Sequence, residues 1–211
     1  MPSLCFGLVP EAITRLTHQY PEIKATVQTR SSQRVVNWMQ SQQFDVGLAA
    51  PPFDKGGIKC LLSVSTPYVC AMSPANARAA QRRILLSQLD GETLIVTTRE
   101  QATRHRLEQL FEQRKVEPVL RIESSLSYVA CLLAEANLGI ALVDPFTATK
   151  FAKSTLKVCP LQADVSFRFG VLIPKEHEQS KVARAFVEHL HEVLKGLKLL
   201  GNIKPLVTRH F

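Results

Sequence analysis

The amino-acid sequence predicts a layered α/β protein built as two lobes. Three observations carry that reading. Amphipathic helices alternate with short β-rich runs, the pattern of helices packed on sheets. The alternation restarts at "LIVTT" (94–98), as it would where a second lobe opens. Two apolar strands end directly on a proline, "MSP" at 72–74 and "LIP" at 172–174. Proline has no N–H to give to a ladder, so pairing ends there. Two such strands crossing out and back make a two-stranded hinge; two unrelated strand ends fit the same local residues. The expected division is 1–72 with 175–198 as lobe I, 73–174 as lobe II and 199–211 as a C-terminal tail.

Taken in order, the first lobe opens on a helix. Ser3 is placed to cap it, Val9, Ala12, Ile13, Leu16 and Tyr20 recur at helical spacing, and Pro21 ends it. "IKATVQT" (23–29) reads as a strand. "RSS" follows, with Ser31 or Ser32 as the cap of a helix that reaches about Ser41 and turns Val35, Trp38 and Met39 inward. "DVGLAA" (45–50) is a short buried strand and "PPFDKGG" a turn-rich loop. "IKCLLSVS" and "PYVCAM" are strands. In the second lobe, "LIVTT" precedes a helix over 102–114 that buries Leu107, Leu110 and Phe111. "PVLRIE" is the next strand, and a helix over 125–136 sets Leu126, Val129, Ala130 and Leu133 on one face before Gly139 stops it. "IALVD" and "FRFGVLI" (167–173) are strands. The last helix, about 180–197, carries Val182, Ala185, Phe186, Leu190, Val193 and Leu197 as its apolar stripe.

Composition narrows the class. A chain of 211 residues buries roughly 70% of its unfolded surface, so it needs no disulfide or metal to hold a core. The formal net charge is +8, which favours anionic ligands by long-range attraction. The basic residues are spread out; only "RHR" at 104–106 and the pair Arg82 and Arg83 form local clusters, and a solvated basic surface accounts for them. No zinc-finger, basic-zipper or RNA-binding signature is present. The five cysteines are odd in number and none is spaced as CxxC, which argues against a disulfide framework and a zinc site. Reduced thiols point to the cytoplasm. The start has no signal-peptide pattern and no apolar run approaches the ~20 residues of a membrane span.

The order of motifs then resembles a known family. "LVPEAITRLTHQYPEIKATVQTRSSQRVVNWMQSQQFDVGLAA" is similar to the opening of the effector domain of LysR-type transcriptional regulators. "ESSLSYVACLLAEANLGIALVD" resembles that family's serine-led helix, Gly turn and "GIALVP"-like strand, with Asp144 where many members carry proline or another small residue. "TRSSQRVVNWMQSQQFDVGLA" resembles the branch that answers to amino-acid-derived compounds such as opines. The resemblance implies a two-lobed, periplasmic-binding-protein-like domain, each lobe a doubly wound sheet flanked by helices. It implies a homodimer, tetrameric in the full-length regulator, with residues 10–19 of one chain near 102–114 of the other. It implies DNA contact only through a winged helix-turn-helix that this sequence does not contain. The family's first effector-domain strand is expected just before Met1 and is missing as well, which reads as a fragment.

The candidate chemistry is that of ligand capture. Ser31 and Ser32 stand where a strand gives way to a helix, and free N–H groups with a hydroxyl make an anion site there. Plain N-capping is the local alternative; in the resembling family this turn touches the effector. Arg30 is suited to a bidentate pair with a carboxylate. Ser3 heads its helix in the same manner. In the second lobe, Thr97, Thr98 and Arg99 follow the opening strand, and Ser124 and Ser125 lead the next helix. Asp144 is suited to a cationic end of the ligand, or to capping the following helix. These residues are expected to converge on a cleft between the lobes that takes a small carboxylate-bearing effector.

Enzyme readings find no support: GxSxG, P-loop, GxGxxG and HExxH are all absent. The six histidines lie mostly on polar helix faces. No cofactor is expected. The alternative reading is the solute-binding protein of a transporter of the ABC type, which shares the architecture but needs a secretion signal and tolerates free cysteines poorly.

Overall fold

The protein is described by a computed structural model for residues 1–53, 56–99, 102–152, 155–175, 180–197 and 206–209. Two units emerge: Met1–Ser65 with Arg168–Leu197 and a C-terminal strand, and Thr66–Phe167. Each division falls inside a strand, somewhat earlier in the chain than the proline-marked positions 72 and 174.

In the first unit, α1 (Pro2–Gly7) and α2 (Val9–Gln19) follow one another with only Leu8 between them. Pro2 occupies the first helical position, where its missing N–H costs nothing. Ser3 therefore lies inside the first turn and is not the cap; Met1 holds that position without a side-chain bond. Pro10 lacks the N–H that would continue the ladder, which accounts for the break at Leu8. Leu4, Leu8, Val9, Ala12 and Leu16 form the buried stripe. Next come α3 (Ser32–Gln40) and β1 (Gly47–Ala49). Val35, Val36 and Met39 of α3 pack with Ala49 in one apolar cluster.

Residues 23–29 correct the sequence reading. They form no strand and are exposed apart from half-buried Ile23. The apolar alternation is present, but a strand also needs a backbone partner, and here the segment borders a groove of about 250 Å³. Val46, Gly47 and Leu48 line the same groove, and among the described residues β1 is paired along one side only. The apolar lining comes from residues such as Ile13, Leu16, Trp38, Phe44 and Phe186.

The chain continues through β2 (Ile58–Pro67) into the second unit. There β3 (Val69–Met72), β4 (Ile84–Leu85), a 3-10 turn at Leu86–Leu89, and β5 (Thr93–Thr97) lead to α4 (Ala102–Arg114). β6 (Val119–Ser124), α5 (Ser127–Glu135), β7 (Ile140–Val143), α6 (Pro145–Phe151) and β8 (Lys157–Gln162) complete it. β9 (Ser166–Pro174) returns to the first unit, followed by α7 (Lys181–Gly196) and β10 (Leu206–Arg209). α7 is capped by Ser180, whose hydroxyl accepts from the Ala183 N–H at 3.1 Å, and it packs against α2. β10 lies in what reads as a plain tail and pairs antiparallel with β2.

The first unit's sheet has the order β1-β9-β2-β10, with antiparallel pairing at β1–β9 and β2–β10. The second unit's sheet has the order β4-β8-β3-β7-β5-β6. β5 pairs parallel with both β6 and β7. This is the doubly wound part of the molecule. Its helices cover the sheet, with Ala130, Cys131 and Ala134 of α5 packed on Val69, Ala71, Ile95, Ala141 and Val143. Gly139 turns the chain into β7 at φ +152°, and a Cβ there would stand 2.6 Å from the Thr93 carbonyl oxygen. Only glycine fits that approach. Among the described residues no helix is long and apolar enough to cross a membrane.

Candidate functional site

Parallel strands carry their C-terminal ends to the same sheet edge, where strands pass into helices and ligands gather. In the second unit that edge holds Thr97 and Thr98 after β5, Ser124 and Ser125 after β6, and Asp144 after β7. Thr97 and Ser124 are direct partners in the ladder, and the Thr98 N–H donates to the Ser124 carbonyl at 3.3 Å. The topology thus brings together five of the residues singled out from sequence.

Their individual roles differ from simple caps. α5 begins later than expected, at Ser127, because Leu126 takes the cap position in extended conformation without a side-chain bond. The Ser124 hydroxyl instead braces the turn, accepting from the Leu126 N–H at 3.2 Å and donating to the Leu126 carbonyl at 3.0 Å. Ser125 is exposed at the corner of the turn. The N-cap residue of α5 contributes no side-chain bond, and the N–H groups and dipole of a helix start favour an anion. Thr97 is buried, and its hydroxyl has no partner among the described residues. Asp144 takes the capping role. It is buried, Oδ1 accepting from the Thr147 N–H at 2.8 Å and Oδ2 from the Thr147 hydroxyl at 3.0 Å. Those bonds give both carboxylate oxygens a partner at the start of α6, the capping role that its sequence position also allowed.

Behind this edge lies a charge cluster that sequence reasoning treated as part of a basic surface. Arg104 is fully buried. Its Nη1 donates to the Thr97 carbonyl at 3.1 Å and its Nε to Glu108 Oε1 at 3.0 Å. Nη2 lies 3.1 Å from Glu123 Oε1. Arg99, largely exposed, reaches the same Glu108 oxygen at 3.4 Å. Burial pushes the Glu108 carboxyl up, but Arg104, Arg99 and His105 outweigh it and hold the group below its usual range. The Arg104–Glu108 spacing of four on one helix was the available signal.

In the first unit, Ser31 caps α3 by position only; it makes no side-chain cap bond and is exposed. The Ser32 hydroxyl accepts from the Ala50 N–H at 2.9 Å, tying the start of α3 to the end of β1. Arg30 donates to the Thr29 carbonyl at 2.8 Å and sits over the Trp38 ring, 5.7 Å from its centroid, with Arg34 at 6.0 Å. The two guanidinium groups and the indole make an exposed cationic surface beside Ser31. The hydroxyl of Ser3 caps nothing in α1.

A family model, the LysR substrate binding domain, matches residues 1–195 of the chain. The chain belongs to the LysR substrate binding domain family. The transcriptional activator protein LysR of Escherichia coli (strain K12) is 25% identical over 99% of this chain. The octopine catabolism/uptake operon regulatory protein OccR of Rhizobium meliloti is 28% identical over 73% of it. The chain spans 66% of the first relative and 50% of the second. Among solved structures, the effector binding domain of QuiR in complex with shikimate superposes with a TM-score of 0.71 at 15% identity, covering 89% of this chain and 90% of that one. The likeness establishes a shared fold, that of a LysR effector domain of the periplasmic-binding-protein kind.

Proposed function

We propose that the chain is the effector-sensing part of a LysR-type transcriptional regulator and binds a small carboxylate-bearing metabolite, amino-acid-derived compounds of the opine kind among them. One observation carries the reading. The starts of α3 in the first unit and of α5 in the second have no side-chain bond from their cap positions and lie beside serines and arginines. Such starts bind anions. The candidate ligand contacts are Ser31, Ser32 and Arg30 within the first unit and, taken by themselves, Thr97, Thr98, Arg99, Ser124 and Ser125 within the second. The relative named for octopine catabolism and the shikimate-bound structure support a carboxylate, since both compounds carry one.

Sensing needs no chemistry on the ligand. The effector acts by preferring one of two conformations, and only that difference in affinity shifts their populations. DNA contact belongs to a helix-turn-helix outside this sequence. The protein works in the cytoplasm as a homodimer, with α2 of one copy near α4 of the other, and assembles to a tetramer in the full-length regulator.

Isothermal titration of the chain with octopine, nopaline, shikimate and their methyl esters tests this. Saturable binding of an acid and not of its ester supports it. Binding of an ester as tightly as its acid, or of no acid in the panel, refutes it.

A further inference from the structure

The cluster behind the end of β5 sets two arginines, Arg104 and Arg99, against two glutamates, Glu108 and Glu123. Arg104 already gives Glu108 two contacts, Nε at 3.0 Å and Nη2 at 2.9 Å, and reaches Glu123 with the same Nη2. A buried guanidinium with these partners and the Thr97 carbonyl is fully engaged. Arg99 is the more loosely held of the two arginines. Its Nε sits at 3.4 Å from an oxygen that Arg104 has already claimed, and its side chain is 72% exposed. Thr97, on the same turn, carries a buried hydroxyl without a partner among the described residues.

We propose that Arg99 is an exchangeable carboxylate clamp: an incoming carboxylate takes its guanidinium from Glu108, while Arg104 stays behind to neutralise Glu108. The proposal rests on the effector reading above and assigns one side chain to the ligand's charged end. The exchange is inexpensive because one ion pair replaces another and no buried charge is stranded. Arg104 makes it so. If Glu108 depended on Arg99 alone, removing that partner would leave an uncompensated carboxylate beside the sheet edge, which is strongly unfavourable. Arg104 also fixes the Thr97 carbonyl, so the turn that carries Arg99 keeps its shape during the exchange. Glu108 thereby acts as a resident competitor that sets how strongly an anion must bind to displace it.

The test uses the whole chain and acetate as the probe, with sodium chloride at matched ionic strength as the control. Side-chain Nε–H signals of Arg99 and Arg104 are followed by NMR. Acetate is expected to shift the Arg99 signal saturably and to leave Arg104 unmoved; chloride is expected to move neither. Glu108→Gln frees Arg99 and lowers the half-saturating acetate concentration several-fold. Read at the Thr98 backbone amide instead, the acetate response is lost in Arg99→Gln and kept in part in Arg99→Lys, which retains the charge. Equal responses to acetate and chloride, or an unchanged half-saturation in Glu108→Gln with a normal melt, overturn the proposal. Should Glu108→Gln fail to fold, Arg104→Lys serves instead: it loosens the hold on Glu108, so Glu108 keeps Arg99 more tightly and the half-saturating acetate concentration should rise, and an unchanged or lower value overturns the proposal. Acetate exchange with no binding of any panel acid would sink the effector reading and leave the clamp. Tight binding of a panel acid that Arg99→Gln does not weaken would do the reverse.

Discussion

Ser31→Ala and Ser32→Ala separate ligand capture from scaffolding, although the two residues are adjacent and chemically identical. The Ser32 hydroxyl is the acceptor for the Ala50 N–H at 2.9 Å. Its removal leaves that donor without a partner in a half-buried position, and an orphaned buried donor costs about 1–3 kcal/mol. Partial solvent access places this one in the lower half of the range, about 1–2 kcal/mol. For a chain of this size each kcal/mol lowers the melting midpoint by roughly 2–4 °C, so Ser32→Ala should melt about 2–8 °C below the wild type. Ser31 makes no cap bond. Its replacement removes no internal hydrogen bond and should stay within about 0.5 kcal/mol of the wild type. If Ser31 donates to an effector carboxylate, its loss should weaken binding by about 1.5–3 kcal/mol, roughly ten- to a hundredfold. Calorimetric melts and titrations of both variants provide the check. Coincident melts, or a larger loss of stability in Ser31→Ala, would show that the Ser32–Ala50 tie is not what joins α3 to β1.

Three further substitutions or conditions follow from the second unit. Gly139→Ala should destabilise by about 2–4 kcal/mol, from a forbidden backbone conformation plus the 2.6 Å approach to the Thr93 carbonyl, and a melt within 2 °C of wild type would contradict the packing. Asp144→Ala should cost about 2 kcal/mol, since Thr147 loses the acceptor for both its N–H and its hydroxyl, whereas Asp144→Asn keeps one acceptor and should cost less; denaturant titration ranks them. Burial raises the Cys131 thiol to about 12, Cys159 to about 11 and Cys70 well above its usual value. At pH 8 these three should resist a thiol reagent until the protein unfolds, while half-buried Cys5 and Cys60 react first. The sign for stability follows. The folded state keeps protons that the unfolded chain releases near pH 9, so this contribution is complete below pH 9. It is lost on going up through about 11 for Cys159 and 12 for Cys131, at most about 1.4 kcal/mol per pH unit for each thiol. Flat stability from pH 9 to 11 would contradict their burial.

What the sequence made legible was whatever local pattern alone determines. The helix over 102–114 matches α4 end to end, and the strand residues 94–97, 119–123 and 140–143 all lie in β5, β6 and β7. The parallel order of β5, β6 and β7 then places Thr98, Ser124 and Asp144 on one edge. The failures share a different cause. Residues 23–29 have strand alternation but border a groove, and alternation does not report whether a ladder partner stands alongside. Ser3 has the chemistry of a cap, yet Pro2 starts the helix one residue earlier. Ser124 and Ser125 have it too, but the strand runs on to Ser124 and the turn consumes the hydroxyl.

The charge cluster shows the same division at the level of function. Nothing in "RHR" distinguishes Arg104 from Arg106. Arg106 pairs at the surface with Asp164, at 2.7 Å, where an ion pair contributes little. Arg104, two residues earlier, is turned by the helix onto the sheet and loses its water. Desolvation makes its partners matter, since a buried guanidinium is tolerated only when fully paired. It therefore gathers Glu108 from its own helix, Glu123 from β6 and the carbonyl of Thr97 from β5. Three elements that meet at the candidate site are joined through one side chain. The position of that side chain on the helix, rather than the local density of positive charge, separates a residue that shapes the site from one that solvates the surface.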